Sequence, residues 1–258
     1  MSTLFEKTFF GSFFPLHTRT FFAGRVSYAM MSGEGLMREY SIFDIIGPVM
    51  IGPSSSHTAG AAKIGYLARE IAGADFLKVE FFLHGSFAKT LKGHGTDRAL
   101  LAGVLGVRPD DPRLRDAYEL AEAAGLTYAF YEADLGHVHP NTVMIRLYYK
   151  DHTTEITGSS IGGGNIVIVK IDDLVLEYTM ERPLMVLEYE DRVGVIGRVT
   201  TFLAERGYNI EAVRTMKQGA MMSLLLETNK EILPEHLVEI RGKDTFSRVL
   251  YIGKEKRV

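Results

Sequence analysis

Arg182-Pro183 divides the chain into two stretches that follow different patterning, and this break constrains the fold more than any single motif does. Proline stops a regular helix and biases the residue before it toward extended backbone. Beyond the break, residues 184–189 read as a strand and residues 194–206 as a helix, with Val195, Ile196, Val199, Phe202 and Leu203 on one face. Gly207 ends that helix. Strands at 209–216 and 221–227 flank the turn Lys217-Gln218-Gly219, then come a short helix at 234–238 and a last strand at 246–251. The order β-α-β-β-α-β predicts a ferredoxin-like split βαβ unit over residues 183–258.

Residues 37–182 read as an α+β unit without regular βαβ alternation. A short apolar stretch at 41–48 leads into a polar loop. A helical pattern then runs to about residue 71, with Ala61, Ile64, Leu67, Ala68 and Ile71 at helical spacing. A strand at 79–83, helices at 97–105 and 114–124, and strands at 126–131 and 142–149 follow. Two β-rich runs, 153–158 and 166–171, are joined by a loop holding Gly162-Gly163-Gly164. Residues 1–36 differ: Phe pairs recur among basic residues, and Gly, Ser, Thr and Pro break every apolar run. They are expected to be a disordered or non-native extension, excluded from the fold, rather than a secretory signal. No apolar run approaches the roughly 18 residues of a membrane-spanning helix. A soluble, cytoplasmic body is expected.

Composition removes several chemistries. The 29 Lys+Arg against 32 Asp+Glu leave a net charge of -3, with no broad attraction for nucleic acid or an anionic membrane. The chain has no cysteine, which excludes a disulfide, a thiol nucleophile, thiolate-bound zinc and an iron–sulfur cluster held by this chain alone. Walker A, GxGxxG and HExxH patterns are absent.

Polar clusters remain as candidates. In Gly52-Pro53-Ser54-Ser55-Ser56-His57-Thr58, consecutive hydroxyls and a His stand at the start of a predicted helix, a setting that favours a carboxylate or phosphate. An N-cap in a Ser-rich linker explains the same residues structurally. His84-Gly85-Ser86 and Gly93-His94-Gly95-Thr96-Asp97 form a second cluster, where glycines permit close approach to a ligand. In His137-Val138-His139-Pro140-Asn141, two His share a side if the segment is extended, but no third ligand is placed, so no metal site is expected. Gly158-Ser159-Ser160-Ile161-Gly162 matches the GxSxG elbow formally. The β-rich run after it argues against the strand-to-helix turn that an elbow needs. With Gly163, Gly164 and Asn165 the same loop is either an anion cradle or an ordinary connection between strands. In the C-terminal unit, Asp191, Gly194 and Asn209 lie at the two ends of the first helix, as effector-binding groups or as turn and capping residues.

The clusters at 52–58, 84–90, 93–97, 139–141 and 158–165 occur in order, and together they resemble the β chain of the iron–sulfur-dependent L-serine dehydratases. Asp191-Arg192-Val193-Gly194-Val195-Ile196-Gly197 followed by Gly207-Tyr208-Asn209-Ile210 resembles an ACT domain, although Val193 stands where many have proline. The resemblance implies deamination of L-serine to pyruvate and ammonia beside an α chain whose cysteines hold a four-iron, four-sulfur cluster. It leaves room for a monovalent cation and for homo-association through the ACT domain. Carried over by motif, Ser54, Ser55, Ser56, Thr58, Gly95 and Thr96 are expected to bind substrate. His57, His94, His139 and Asn141 are expected to form the catalytic set, with the acid/base His left open. The alternative is a non-catalytic regulatory module that binds serine or another small anion. Deletion beyond Arg182 is expected to change assembly or effector response more than chemistry.

Overall fold

The computed structural model describes residues 54–243 and 245–254. The expected extension, the 41–48 stretch and Gly52-Pro53 of the first motif lie outside the described residues. The architecture is α+β, built on two sheets.

The first sheet holds β1 (Lys78–Leu83), β2 (Thr127–Glu132), β3 (Thr142–Tyr148), β4 (Thr153–Gly162), β5 (Asn165–Ile171) and β6 (Leu174–Tyr178), in the order β2-β1-β3-β4-β5-β6. β1 and β2 pair in parallel, and the other neighbours are antiparallel. A parallel pair requires a long crossover. Here it is supplied by α2 (Gly85–Lys89), α3 (Thr96–Val104) and α4 (Ala117–Ala123). Strand alternation sends Val79, Phe81 and Leu83 to one face, opposite Leu147, Ile145 and Val143 of β3, and all six are buried. The other face carries Lys78, Glu80, Arg146 and Glu155, tied by the ion pairs Lys78–Glu80 and Arg146–Glu155.

The apolar face is covered by α1 (Ala61–Ala72) together with α3. Their backbones nearly touch. A Cβ on Gly65 would stand 2.5 Å from the Leu100 carbonyl oxygen, and one on Gly103 would stand 2.3 Å from the Ala62 carbonyl oxygen. Each helix thus uses a glycine to admit the other's backbone, a distance that larger side chains forbid.

The second sheet holds β7 (Leu184–Glu190), β8 (Ile210–Gln218), β9 (Met221–Thr228) and β10 (Arg248–Ile252) in the antiparallel order β10-β7-β9-β8. With α5 (Val195–Glu205) after β7 and α6 (Pro234–Arg241) after β9, this is the split βαβ topology that the C-terminal pattern predicts. Met185, Leu187, Tyr189, Leu224 and Leu226 face the two helices. Leu184, Val186, Leu225, Leu250 and Ile252 point the other way and join the core that contains Ile71, Leu174, Leu176 and Tyr178. β7 is therefore buried on both faces over residues 184–187, which explains the apolar run at its start. Arg248 reaches Asp172 at 2.9 Å, and the Gln218 amide donates to the Asp173 carbonyl, pinning the β5–β6 turn to the second sheet.

Two elements escape sequence reading. β6 carries the alternation Leu174, Leu176, Tyr178 but spans five residues, and α2 is too short to show a period. Sequence reading also ends the fourth strand near residue 158, whereas β4 runs to Gly162 and carries Ser159 and Ser160 within it. GxSxG is consequently not an elbow: no strand-to-helix turn exists there, and Ser160 is fully buried.

Gly65→Ala or Gly103→Ala is expected to cost roughly 1–3 kcal/mol or more by denaturant unfolding, because the obstructing atoms are backbone. Gly197→Ala in α5, where a Cβ meets nothing within 4 Å, is expected to be neutral or stabilising by about 0.5–1 kcal/mol. Deleting residues 183–258 uncovers the apolar surface shared with the second sheet. The expected outcome is loss of the cooperative unfolding transition, a larger effect than the change in assembly that the sequence suggests.

Candidate functional site

The first motif forms one turn of π-helix, Ser55–Gly60, leading into α1. Ser54 caps it: its Oγ accepts the His57 backbone N–H at 3.3 Å, and its carbonyl accepts the Thr58 N–H at 2.9 Å. The turn lies directly on β4. A Cβ on Gly60 would fall 2.1 Å from Ser160 Oγ, so the fifth motif forms the floor beneath the first.

The turn aims His57 at the second motif. Its Nδ1 lies 3.2 Å from Ser54 Oγ and its Nε2 lies 3.0 Å from Ser86 Oγ. Its ring meets His94 edge-to-face at 4.9 Å and Phe87 at 5.5 Å. Thr58 Oγ1 donates to the His94 carbonyl at 3.1 Å, tying the start of α1 to the loop before α3. The fourth motif closes the group. The Pro140 carbonyl accepts the Ser86 N–H at 2.8 Å, and the Asn141 carbonyl accepts the Ser160 N–H at 2.9 Å. Thr142 Oγ1 donates to the His139 carbonyl and shares a 2.6 Å hydrogen bond with Ser159 Oγ. Five motifs spread over a hundred residues thus meet at one end of the first sheet.

Burial lowers the pKa of His57 below its ordinary 6.5, and the neighbouring charge of His94 lowers it further. His57 is accordingly a neutral imidazole at pH 7, able to accept a proton. Among the described residues, three buried polar atoms of these motifs have no hydrogen-bond partner: His94 Nδ1, Thr96 Oγ1 and Ser160 Oγ. Leaving such a group without a partner costs about 1–3 kcal/mol relative to a satisfied one.

The expected site residues divide on their positions. Ser54, Ser55, Ser56, His57 and His94 are half-buried at the cluster, and Thr58 is buried behind it. His139 is exposed, with Nδ1 accepting the Asn141 N–H at 3.1 Å. Gly95 starts α3 in a left-handed conformation, while Thr96 is wholly enclosed. Asp191 and Gly194 precede α5, whereas Asn209 follows its far end, about 16 Å of helix away. These three do not share one pocket within this chain. Asp191 pairs with Lys217 at 2.6 Å, and the Asn209 amide donates to Glu211 at 2.8 Å. Gly163 and Gly164 form the hairpin turn between β4 and β5, and Gly162, the last residue of β4, pairs with Asn165. Sequence reasoning placed Ser86 in the second polar cluster but gave it no role; its place directly after a strand end was the available signal. Among the described residues no group of three or more His, Asp or Glu is arranged to hold a metal.

Residues 41–170 match the family model described as serine dehydratase beta chain. The chain belongs to that family. Residues 184–242 match the ACT domain model. Among serine dehydratase beta chains, that of Peptoniphilus asaccharolyticus is 44% identical over 220 residues, covering 84% of this chain and 99% of the relative. A probable L-serine dehydratase beta chain of Bacillus subtilis is 38% identical, covering 80% and 94% respectively. An L-serine dehydratase of Streptomyces coelicolor is 29% identical over 208 residues, 70% of this chain but 44% of that protein.

The depressed pKa of His57 has a signed consequence. The unfolded imidazole, near pKa 6.5, binds a proton before the folded one does. Stability is therefore expected to fall as pH drops below about 6.5, until the lower folded pKa is passed. His57→Gln should remove that portion of the acid-side loss in urea unfolding measured at pH 5 and pH 7.

Proposed function

We propose that this chain is the β subunit of an L-serine dehydratase, working with a cysteine-bearing α chain to convert L-serine to pyruvate and ammonia. The supporting observation is the meeting of five motifs around His57, a neutral imidazole set between two serine hydroxyls and faced by His94. The names of the Peptoniphilus asaccharolyticus and Bacillus subtilis relatives support the same reading.

L-Serine loses its Cα proton and its β-hydroxyl, which depart together as water and leave an enamine. The enamine tautomerises to an imine, and water hydrolyses that to pyruvate and ammonia. The turn at the start of α1 suits the substrate carboxylate, since hydroxyls of Ser54, Ser55 and Ser56 surround a helix N-terminus. His57, neutral at pH 7, is the proposed proton acceptor, with His94 against its ring and with His139 and Asn141 as further polar groups of the proposed set.

A four-iron, four-sulfur cluster belongs to the proposal as the α chain's group. This chain's residues do not suit holding it: there is no cysteine, and the described residues offer no ligand set. No described helix is long and apolar enough to cross a membrane.

Anaerobic co-expression with a cysteine-bearing α chain, followed by a pyruvate assay on L-serine, tests the reading. His57→Ala in the assembled complex is expected to lower turnover by roughly 100-fold or more while assembly is retained. A change confined to serine affinity or activation would instead make this chain a regulatory module. Full activity from this chain alone, without iron, would remove the α chain from the account.

A further inference from the structure

Ser86 stands where β1 hands over to α2, and its backbone is fixed from both sides. Its N–H donates to the Pro140 carbonyl at 2.8 Å, a bond that the Phe87 N–H shares at 3.5 Å. Its carbonyl accepts the Thr90 hydroxyl at 2.8 Å. A Cβ on Gly85 would stand 2.8 Å from the Pro140 oxygen, so the loop carrying His139 and Asn141 rests directly on this turn. Only the Ser86 hydroxyl is left to adjust, and it lies 3.0 Å from His57 Nε2.

The opposite edge of the ring is held in the same manner, with Ser54 Oγ 3.2 Å from Nδ1. A neutral imidazole has one N–H donor and one bare nitrogen acceptor, and a hydroxyl can serve either. Two hydroxyls therefore satisfy both nitrogens in either tautomer, and rotating them lets the ring exchange tautomers without leaving a nitrogen unpaired. The neighbours that bear on the ring are His94, whose charge acts on it, and the apolar Phe87.

We infer that Ser86 is the positioning residue of His57, holding the Nε2 edge of the imidazole and coupling it through the Pro140 carbonyl to the loop of His139 and Asn141. Its effect on turnover rests on the proposed serine dehydratase function; its hold on the ring does not.

The full chain, labelled with 15N-histidine and with His57 assigned by the signal lost in His57→Gln, tests the hold directly. In the wild type the Nε2 resonance should lie at a hydrogen-bonded position, and an unbonded position would overturn the inference whether or not any variant folds. Ser86→Ala should move the His57 titration midpoint by roughly half a pH unit or more, and Ser86→Thr should leave it in place. An unmoved midpoint in Ser86→Ala counts against the inference. In the complex with the α chain, Ser86→Ala should lower kcat by roughly 5- to 10-fold with KM within about twofold, and Ser86→Thr should recover it. A change in KM alone would overturn the positioning role. A wild-type complex that makes no pyruvate from L-serine would defeat the functional proposal, with the ring measurements still deciding Ser86.

Discussion

The close crossing of α1 and α3 is the contact on which the rest of the structure depends. Gly65 lies against the Leu100 carbonyl and Gly103 against the Ala62 carbonyl, so the two backbones approach farther than side chains elsewhere allow. Both helices bear motifs at their N-terminal ends: the Ser-His turn before α1, and His94 with Gly95 before α3. Bringing the helices together brings those ends together. The Thr58–His94 hydrogen bond and the His57–His94 ring contact follow from that approach. A separation of even one methyl group between the helices would undo both.

The strands supply the other half of the site through the same economy of position. β1 delivers His84 and Ser86 at its end, β3 begins just after His139 and Asn141, and β4 carries Ser159 and Ser160. Because β1 and β3 are adjacent and antiparallel, the end of one lies beside the start of the other. Polar groups that would be costly in isolation are gathered where one strand end, one strand start and two helix starts coincide. The backbone bonds among them fix the frame, within which the side chains of His57 and Ser86 pair with each other.

Much of this was legible in the sequence. Strand alternation in β1 and β3 and helical spacing in α1 and α5 follow directly from apolar periodicity, and the C-terminal element order predicts its sheet topology. The polar clusters of the site were visible as residues, although their mutual placement was not. Convergence depends on the crossover from β1 to β2 and on glycines at 65 and 103, which in a sequence are only two small residues within helical patterns. Ser86 was hidden for a related reason: its importance lies in a 3.0 Å approach to a residue 29 positions away. The reach of β4 past Gly158 was obscured by glycine and serine, which mark loops by composition yet here pack tightly beneath α1.

β7, covered on both faces, changes what a binding event at the C-terminal unit can do. Its one face completes the core beneath α5 and α6, and its other face completes the core to which α1 belongs. Segments that share a core open together rather than independently. Anything that binds the native form of the second sheet and its helices therefore also suppresses the local opening of the segment that presents His57. Communication between the two halves then requires no hinge and no displacement. The core that the two halves share is sufficient to link them.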